Sequence, residues 1–454
     1  MATYEVPMEL HAYNRKKLLT SLRNHLESVK RPLFGFVLLQ GGEEQYRYCT
    51  DTSDLFRQES YFAYLFGVKE PGFFGALEIN TSLAYLFIPR LPEEYEIWSG
   101  ERHPPSYFKE LYKVDKVLYV DEMKDFLNEH GRVSSDSVLY LLHGLNTDSG
   151  NYSKPAHFEG IDNFKTDLDT LHPILTECRV IKSHYELDLL RYVNKVSSAA
   201  HIEVMRAARP GLKEYQLESL FLHHTQTHGG CRYASYTCIC ATGKNSSTLH
   251  YGHAAAPNDR INGTFSRDQR LVYQGVLDAQ KAVMAAIKPG VSWIDMHKLA
   301  ESRILHALVK AKILKGSIEV MLEKRLGAIF MPHGLGHFLG LDTHDPGGYL
   351  KGAQRPKEPG LNSLRTSRIL EEGMVITVEP GCYFIDILID QALKDPGIAS
   401  FIVHEEIERF RGFGGIRLED DVVITADGCE NLTKCPREIR DVEAVMSGEP
   451  WPLV

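Results

Sequence analysis

No stretch of this chain approaches the ~20 apolar residues needed to cross a bilayer, and Met1 to His11 shows no basic segment followed by an apolar one. A cytoplasmic protein without a span or secretory leader is therefore expected. Cysteine is sparse, with eight spread over 454 residues and no small-domain spacing, so buried thiols are expected rather than a disulfide framework. Cys238 and Cys240 alternate on an expected strand and stand too close to bridge each other. An excess of positive charge is also missing. The net charge is −9 with both signs interspersed, which leaves no basic patch for nucleic acid or an anionic membrane. The chain has no Walker loop or dinucleotide fingerprint, which argues against a nucleotide site. No Gly-x-Ser-x-Gly elbow appears, which argues against a serine hydrolase. Asn-x-Ser/Thr triplets such as Asn245-Ser-Ser carry no weight without a secretory route.

What is present is an ordinary soluble composition, 43% hydrophobic and 24% charged, at a length that suggests about two to three domains. Residues 12–30 read as an amphipathic helix, and strand patterns follow at 34–40, 73–79, 83–88, 117–120 and 138–142. Residues 1–165 are thus expected to form an α/β domain. Within it Phe56–Phe62 mixes aromatics with charge, as a cleft lining or as ordinary helix packing. Residues 166–183 read as a linker, 184–440 as a second domain and 441–454 as a tail. Ser183 with Glu186 forms a capping box that starts a long helix ending before Pro210-Gly211. The same design returns 79 residues later. Val272, Ala279, Val283, Met284 and Pro289-Gly290 align with Val193, Ala200, Val204, Met205 and Pro210-Gly211. A helix, a Pro-Gly turn, a second helix and then strands is an internal duplication. The second copy offers strand patterns at 328–331, 374–379 and 415–425. The first offers only 234–241 before Ser266 and Gln269 cap the next helix, so its half of the sheet is short of strands at Arg260-Ile261.

Met331-Pro-His-Gly-Leu-Gly-His-Phe-Leu-Gly-Leu-Asp-Thr-His344 holds three histidines and three glycines. Gly334 and Gly336 oppose a helix, so a strand or tight loop bringing imidazoles and backbone close to a bound group is expected. Such histidines either ligate a metal or only hydrogen-bond backbone, and the stretch alone does not decide. In 374–379 Val375, Thr377 and Glu379 share a face opposite Met374, Ile376 and Val378. Glu379 is either a ligand or a carboxylate facing water. Arg417 and Glu419 likewise share a face, in a site or on an exposed edge strand. His337, Glu379 and Glu419 together suit Mn²⁺ or Zn²⁺.

Taken together, Tyr48-Cys-Thr-Asp-Thr52, Leu55–Ser60, Ser235–Cys240, Leu249-His-Tyr-Gly-His253, Met331–Gly340, Thr377-Val-Glu-Pro-Gly381 and Arg411-Gly-Phe-Gly-Gly415 resemble the prolidase (Xaa-Pro dipeptidase) group of the pita-bread metallopeptidases. The resemblance covers nearly the whole chain. It implies a creatinase-like α/β N-terminal domain, an α+β catalytic domain of duplicated helix-helix-sheet design, and a homodimer acting on small dipeptides. It also implies two divalent ions, typically Mn²⁺, held by two aspartates, one histidine and two glutamates. The last three match His337, Glu379 and Glu419. By the same resemblance Glu379 shuttles a proton, Arg365 pairs with the dipeptide carboxylate, His250 and His344 line the proline site and assist the carbonyl, and His333 and Arg417 support them. The two aspartates should lie on a hairpin after Pro257-Asn-Asp-Arg260, where the chain jumps to Ile261. About 25–30 residues, two strands and a connection, are absent there. Asp259 precedes the gap and Asp268 sits in a capped first turn, so neither replaces them. At most one ion and little or no activity are expected, as from an alternatively spliced or mis-predicted product; the alternative role is an inactive binding or dimerising subunit.

Overall fold

A computed structural model describes residues 3–131, 137–252, 256–261 and 265–452. His253 of the Leu249–His253 motif lies outside them. The chain forms two compact units, Val6–Arg179, and Val180–Val454 together with Met1–Glu5.

In the first unit β1 (Gly35–Gln40), β2 (Phe74–Glu78), β3 (Ala84–Ile88), β4 (Lys116–Tyr119), β5 (Val138–Leu141) and β6 (Thr166–Asp167) form one sheet in the order β4-β3-β2-β1-β5-β6. Pairing is antiparallel within β1, β2 and β3 and parallel elsewhere. Alternation along β1 sends Val37 and Leu39 into one core, with Leu18, Leu22 and Phe62, and Phe36 and Leu38 into another, with Phe126. Both faces are therefore covered. Residues 166–183 are not a linker. β6 extends the sheet, and the helix Leu171–Val180 buries Leu171, Leu175 and Cys178 in the core. Its apolar positions Leu171, Leu175 and Cys178 step by four and three, as on one face of a helix.

The second unit shows the duplication directly. Helices His184–Ala207 and Arg267–Ala286 each start at a serine capping box, and helices Glu214–Gly229 and Trp293–Lys310 each follow the Pro-Gly turn. The register continues beyond them. Lys213 bridges Arg260 as Ser292 bridges Ile369. Ile261 exchanges backbone hydrogen bonds with Gly211 and Leu212, as Leu370 does with Gly290 and Val291. Ile261 is thus the structural counterpart of Leu370. From Leu370 the second copy runs on into β7 (Val375–Val378), whereas the next described element of the first copy is the helix capped by Ser266.

The second copy also has β8 (Gly381–Tyr383), β9 (Gly415–Arg417), β10 (Asp420–Ile424) and β11 (Cys429–Asn431), in the sheets β11-β10-β7 and β8-β9. Three strand expectations are corrected. Residues 328–331 lie in and just after a helical turn, Gly327–Phe330, since a four-residue apolar run fits either element. Residues 415–425 form two strands of different sheets, broken at Leu418-Glu419. Residues 234–241 contain no regular strand: among the described residues no strand pairs with them, and a lone strand leaves its backbone groups unpaired. The supposed tail is also part of the unit: helix Ile439–Met446 buries Val442 and Val445 and packs on His184–Ala207. Among the described residues no disulfide forms between the eight cysteines, and no helix is long and apolar enough to cross a membrane.

Candidate metal centre

Within the Met331–His344 stretch, Leu335 to Leu339 lie antiparallel along β7, and residues 340–344 bend away. Thr377 N–H donates to His337 O, Glu379 N–H to Leu335 O and Leu339 N–H to Val375 O, at 2.9, 2.9 and 3.0 Å. Gly336 makes this approach possible, because a Cβ there would lie 1.9 Å from Thr377 O. The pairing puts His337 beside Glu379, one residue past the end of β7. The break between β9 and β10 brings Glu419 to the same point. His337 Nε2 lies 3.4 Å from Glu379 Oε1 and 3.8 Å from Glu419 Oε1. Ligand atoms of all three lie within 4.8 Å of one another, the one such group of three found among the described residues.

The donor chemistry fits a cation. His337 Nδ1 is 2.9 Å from Phe338 O, and because a carbonyl can only accept, Nδ1 carries the proton. Nε2 then presents its lone pair to the carboxylates. Burial pushes Glu379 up to about 7, against the lowering effect of Arg417. Glu419 is pushed up to about 7 by burial and then by the charge of Glu379. A divalent ion would relieve both effects. The three groups and their open side suit one ion with water or substrate completing its shell.

Around this group Arg417 Nη1 lies 3.5 Å from Glu379 Oε2, and its Nε–H donates to Tyr383 Oη at 2.7 Å. The His344 ring stands nearly perpendicular to that of His337, 4.5 Å away. His333 packs edge-on to Tyr383, with its Nδ1 bonded to Gly334 O and its buried Nε2 without a hydrogen-bond partner among the described residues. Burial, then the charges of Arg417 for His333 and of His337 for His344, hold both rings down to about 3, so both are neutral at pH 7. Arg365 reaches Glu379 and His344 through its charge, and exposed His250 reaches His333 and His344 in the same way. Of the eight residues singled out from the sequence, His337, Glu379 and Glu419 meet at one point, His344 and Arg417 contact them, His333 packs on Tyr383 beside Arg417, and Arg365 and His250 act on the group through their charge.

Four others were missed. Thr377 bonds His337 N–H and Glu379 Oε1, and the alternation that exposed Glu379 already put it on that face. Asp421 is pushed up to about 7 by burial and then by Glu419, and its signal was the position two residues past Glu419 on a strand. Tyr383, bonded to Arg417, and Tyr236, raised first by the charge of Glu419, gave none. Asp259 accepts from Asn245 Nδ2 at 2.9 Å within a knot around Glu214, and Asp268 pairs with Arg409. Neither joins the metal group.

Residues 11–140 match the aminopeptidase P N-terminal domain, and residues 188–263 and 260–426 match metallopeptidase family M24. The second match breaks where the first copy loses its sheet. The chain is 50% identical to the Xaa-Pro dipeptidase of Homo sapiens and 49% to that of Mus musculus, each over 474 aligned residues spanning 98% of this chain and 95% of the relative. Since 474 exceeds 454, the relatives carry residues that face a gap here. Among solved structures it is similar to the aminopeptidase PepP of Pseudomonas aeruginosa, with TM-score 0.76 and 27% identity. A zinc-substituted aminopeptidase P of E. coli in complex with product gives TM-score 0.77 and 27% identity. Each covers 98% of this chain and 99% of the other.

Proposed function

Because the chain belongs to metallopeptidase family M24, we propose that its site is built for metal-dependent hydrolysis of dipeptides ending in proline, and that this chain retains only half of the metal cradle. The convergence of His337, Glu379 and Glu419 carries the first part. The end of the sheet after Ile261 carries the second. The resemblance puts two aspartate ligands on the strands absent here, and without them two carboxylates would face the four positive charges of two ions. One Mn²⁺ is the most the group is expected to hold.

Such an ion supplies an activated water and polarises the scissile carbonyl. The chain's own residues do the rest. Glu379 takes a proton from the attacking water and delivers it to the imino nitrogen, for which titration near 7 suits it. Neutral His344 donates a hydrogen bond to the carbonyl oxygen as charge develops there. Arg365 pairs bidentately with the substrate carboxylate, His250 lines the proline ring, and His333 and Arg417 hold Glu379 and Tyr383 in place. A cytoplasmic homodimer is part of this reading. The missing strands favour a second reading, a catalytically inactive subunit that only binds or dimerises.

The test is Gly-Pro cleavage by the purified chain in Mn²⁺. Trace or no turnover with at most one ion is expected, and robust turnover with two ions per chain overturns the half-cradle reading.

A further inference from the structure

Outside this site the helix Glu214–Gly229 carries His224 and His228 one turn apart, with ring centroids 4.5 Å apart and planes inclined by 52°. Residues at i and i+4 share a helix face, and this face is not in the core. The helix buries only Glu214, Thr225 and Gly229, while His228 is exposed and His224 partly so. Among the described residues neither ring is engaged by a hydrogen bond or an ion pair. Burial and then the charge of His228 hold His224 below the usual histidine range, while Glu203 on the neighbouring helix pulls it the other way. The neighbouring His228 thus helps to keep the His224 lone pair available near neutral pH.

We propose that His224 and His228 form a chelating surface site for a divalent ion of borderline softness, Zn²⁺, Ni²⁺ or Cu²⁺. Two imidazoles on one face supply two adjacent ligand positions, water fills the rest, and Glu203, salt-bridged to Arg206 at 2.5 Å, lowers the cost of bringing positive charge there. Imidazole pairs suit these ions, whereas Mn²⁺ prefers carboxylate and water oxygens. This surface site therefore differs in metal preference from the buried His337 group, and neither depends on the other.

The experiment is equilibrium dialysis of the full chain against Ni²⁺ and, separately, Mn²⁺, with native protein, H224N, H228N and H223N. Loss of one bound Ni²⁺, or binding weakened roughly tenfold or more because the second ligand acts intramolecularly, is expected in both H224N and H228N. Mn²⁺ uptake should be unchanged. H223N should keep the ion, since its side chain points about 100° away from that of His224. Equal Ni²⁺ binding in native, H224N and H228N overturns the site, as does an equal loss in H223N. Having two independent partner variants keeps the test decisive if one folds poorly.

Discussion

The two copies of the helix, Pro-Gly, helix design differ in what lies beneath them. Arg267–Ala286 and Trp293–Lys310 each bury eight residues: the two helices pack on each other, β7, β8 and β9 lie against the first, and the helical turn Gly327–Phe330 lies against the second. His184–Ala207 buries five, and Glu214–Gly229 only three, two of them polar. The first helix of each copy starts at a serine capping box and ends before a Pro-Gly turn, so the contrast follows what packs against the helices rather than how they begin. A helix stripe is stabilised by what it packs against, and in the first copy that partner ends at Ile261. On the half-cradle reading, the same sheet deficit would also remove one wall of the metal site.

The largest expected effect comes from repairing the weaker copy. Inserting at Ile261 the residues of the human relative that face the gap should raise Gly-Pro turnover in Mn²⁺ by at least roughly 100-fold if they carry the expected aspartates, since even outer-shell partners of a metal are worth about 10–100-fold. No gain in a folded, dimer-competent insertion variant would separate the gap from the activity. Next, Glu379→Gln should weaken Mn²⁺ binding by about 100-fold or more in isothermal titration, whereas Asp259→Asn should leave it within error. Equal losses would put Asp259 in the cradle.

A smaller contrast concerns local stability. Amides of 184–229 should exchange with solvent on the order of 100-fold faster than those of 267–310 in native-state hydrogen exchange, because fewer apolar side chains hold the first pair closed. Equal protection would mean that the first copy is supported by something other than a sheet. Smaller again is the effect of pH. Glu379 and Glu419 titrate at about 7 in the folded, metal-free site, against a usual value of 4.5. The folded chain therefore binds more protons than the unfolded one between those values. The contribution of these groups to stability is fully present below about 4.5 and is lost as pH rises through about 7. Mn²⁺ affinity should move the other way, rising with pH up to about 7 as protons leave on binding. Titrations in buffers of different ionisation enthalpy read this directly.

Much of this was legible in the sequence. Short apolar runs placed β1 to β5, period-two alternation placed the face carrying Glu379, and serine with Glu186 or Gln269 gave both helix starts. The strand deficit at Arg260-Ile261 was readable because the copies could be counted against each other. Other features needed three dimensions. Leu171–Val180 looked like a linker because its partners lie far away in sequence. Ala234–Ala241 has strand propensity but no neighbour to pair with. Tyr383 and Tyr236 enter the site through folding alone, while Gly336 hinted at a close approach without naming Thr377 as the group approached.

The central claim is that the chain holds half a cradle. Mn²⁺ should be counted per chain by elemental analysis after gel filtration at neutral pH, since the His224–His228 pair does not favour that ion, with Gly-Pro turnover measured on the same sample. One Mn²⁺ or fewer with little or no cleavage is the predicted result. Two tightly held Mn²⁺ with robust cleavage would contradict the account.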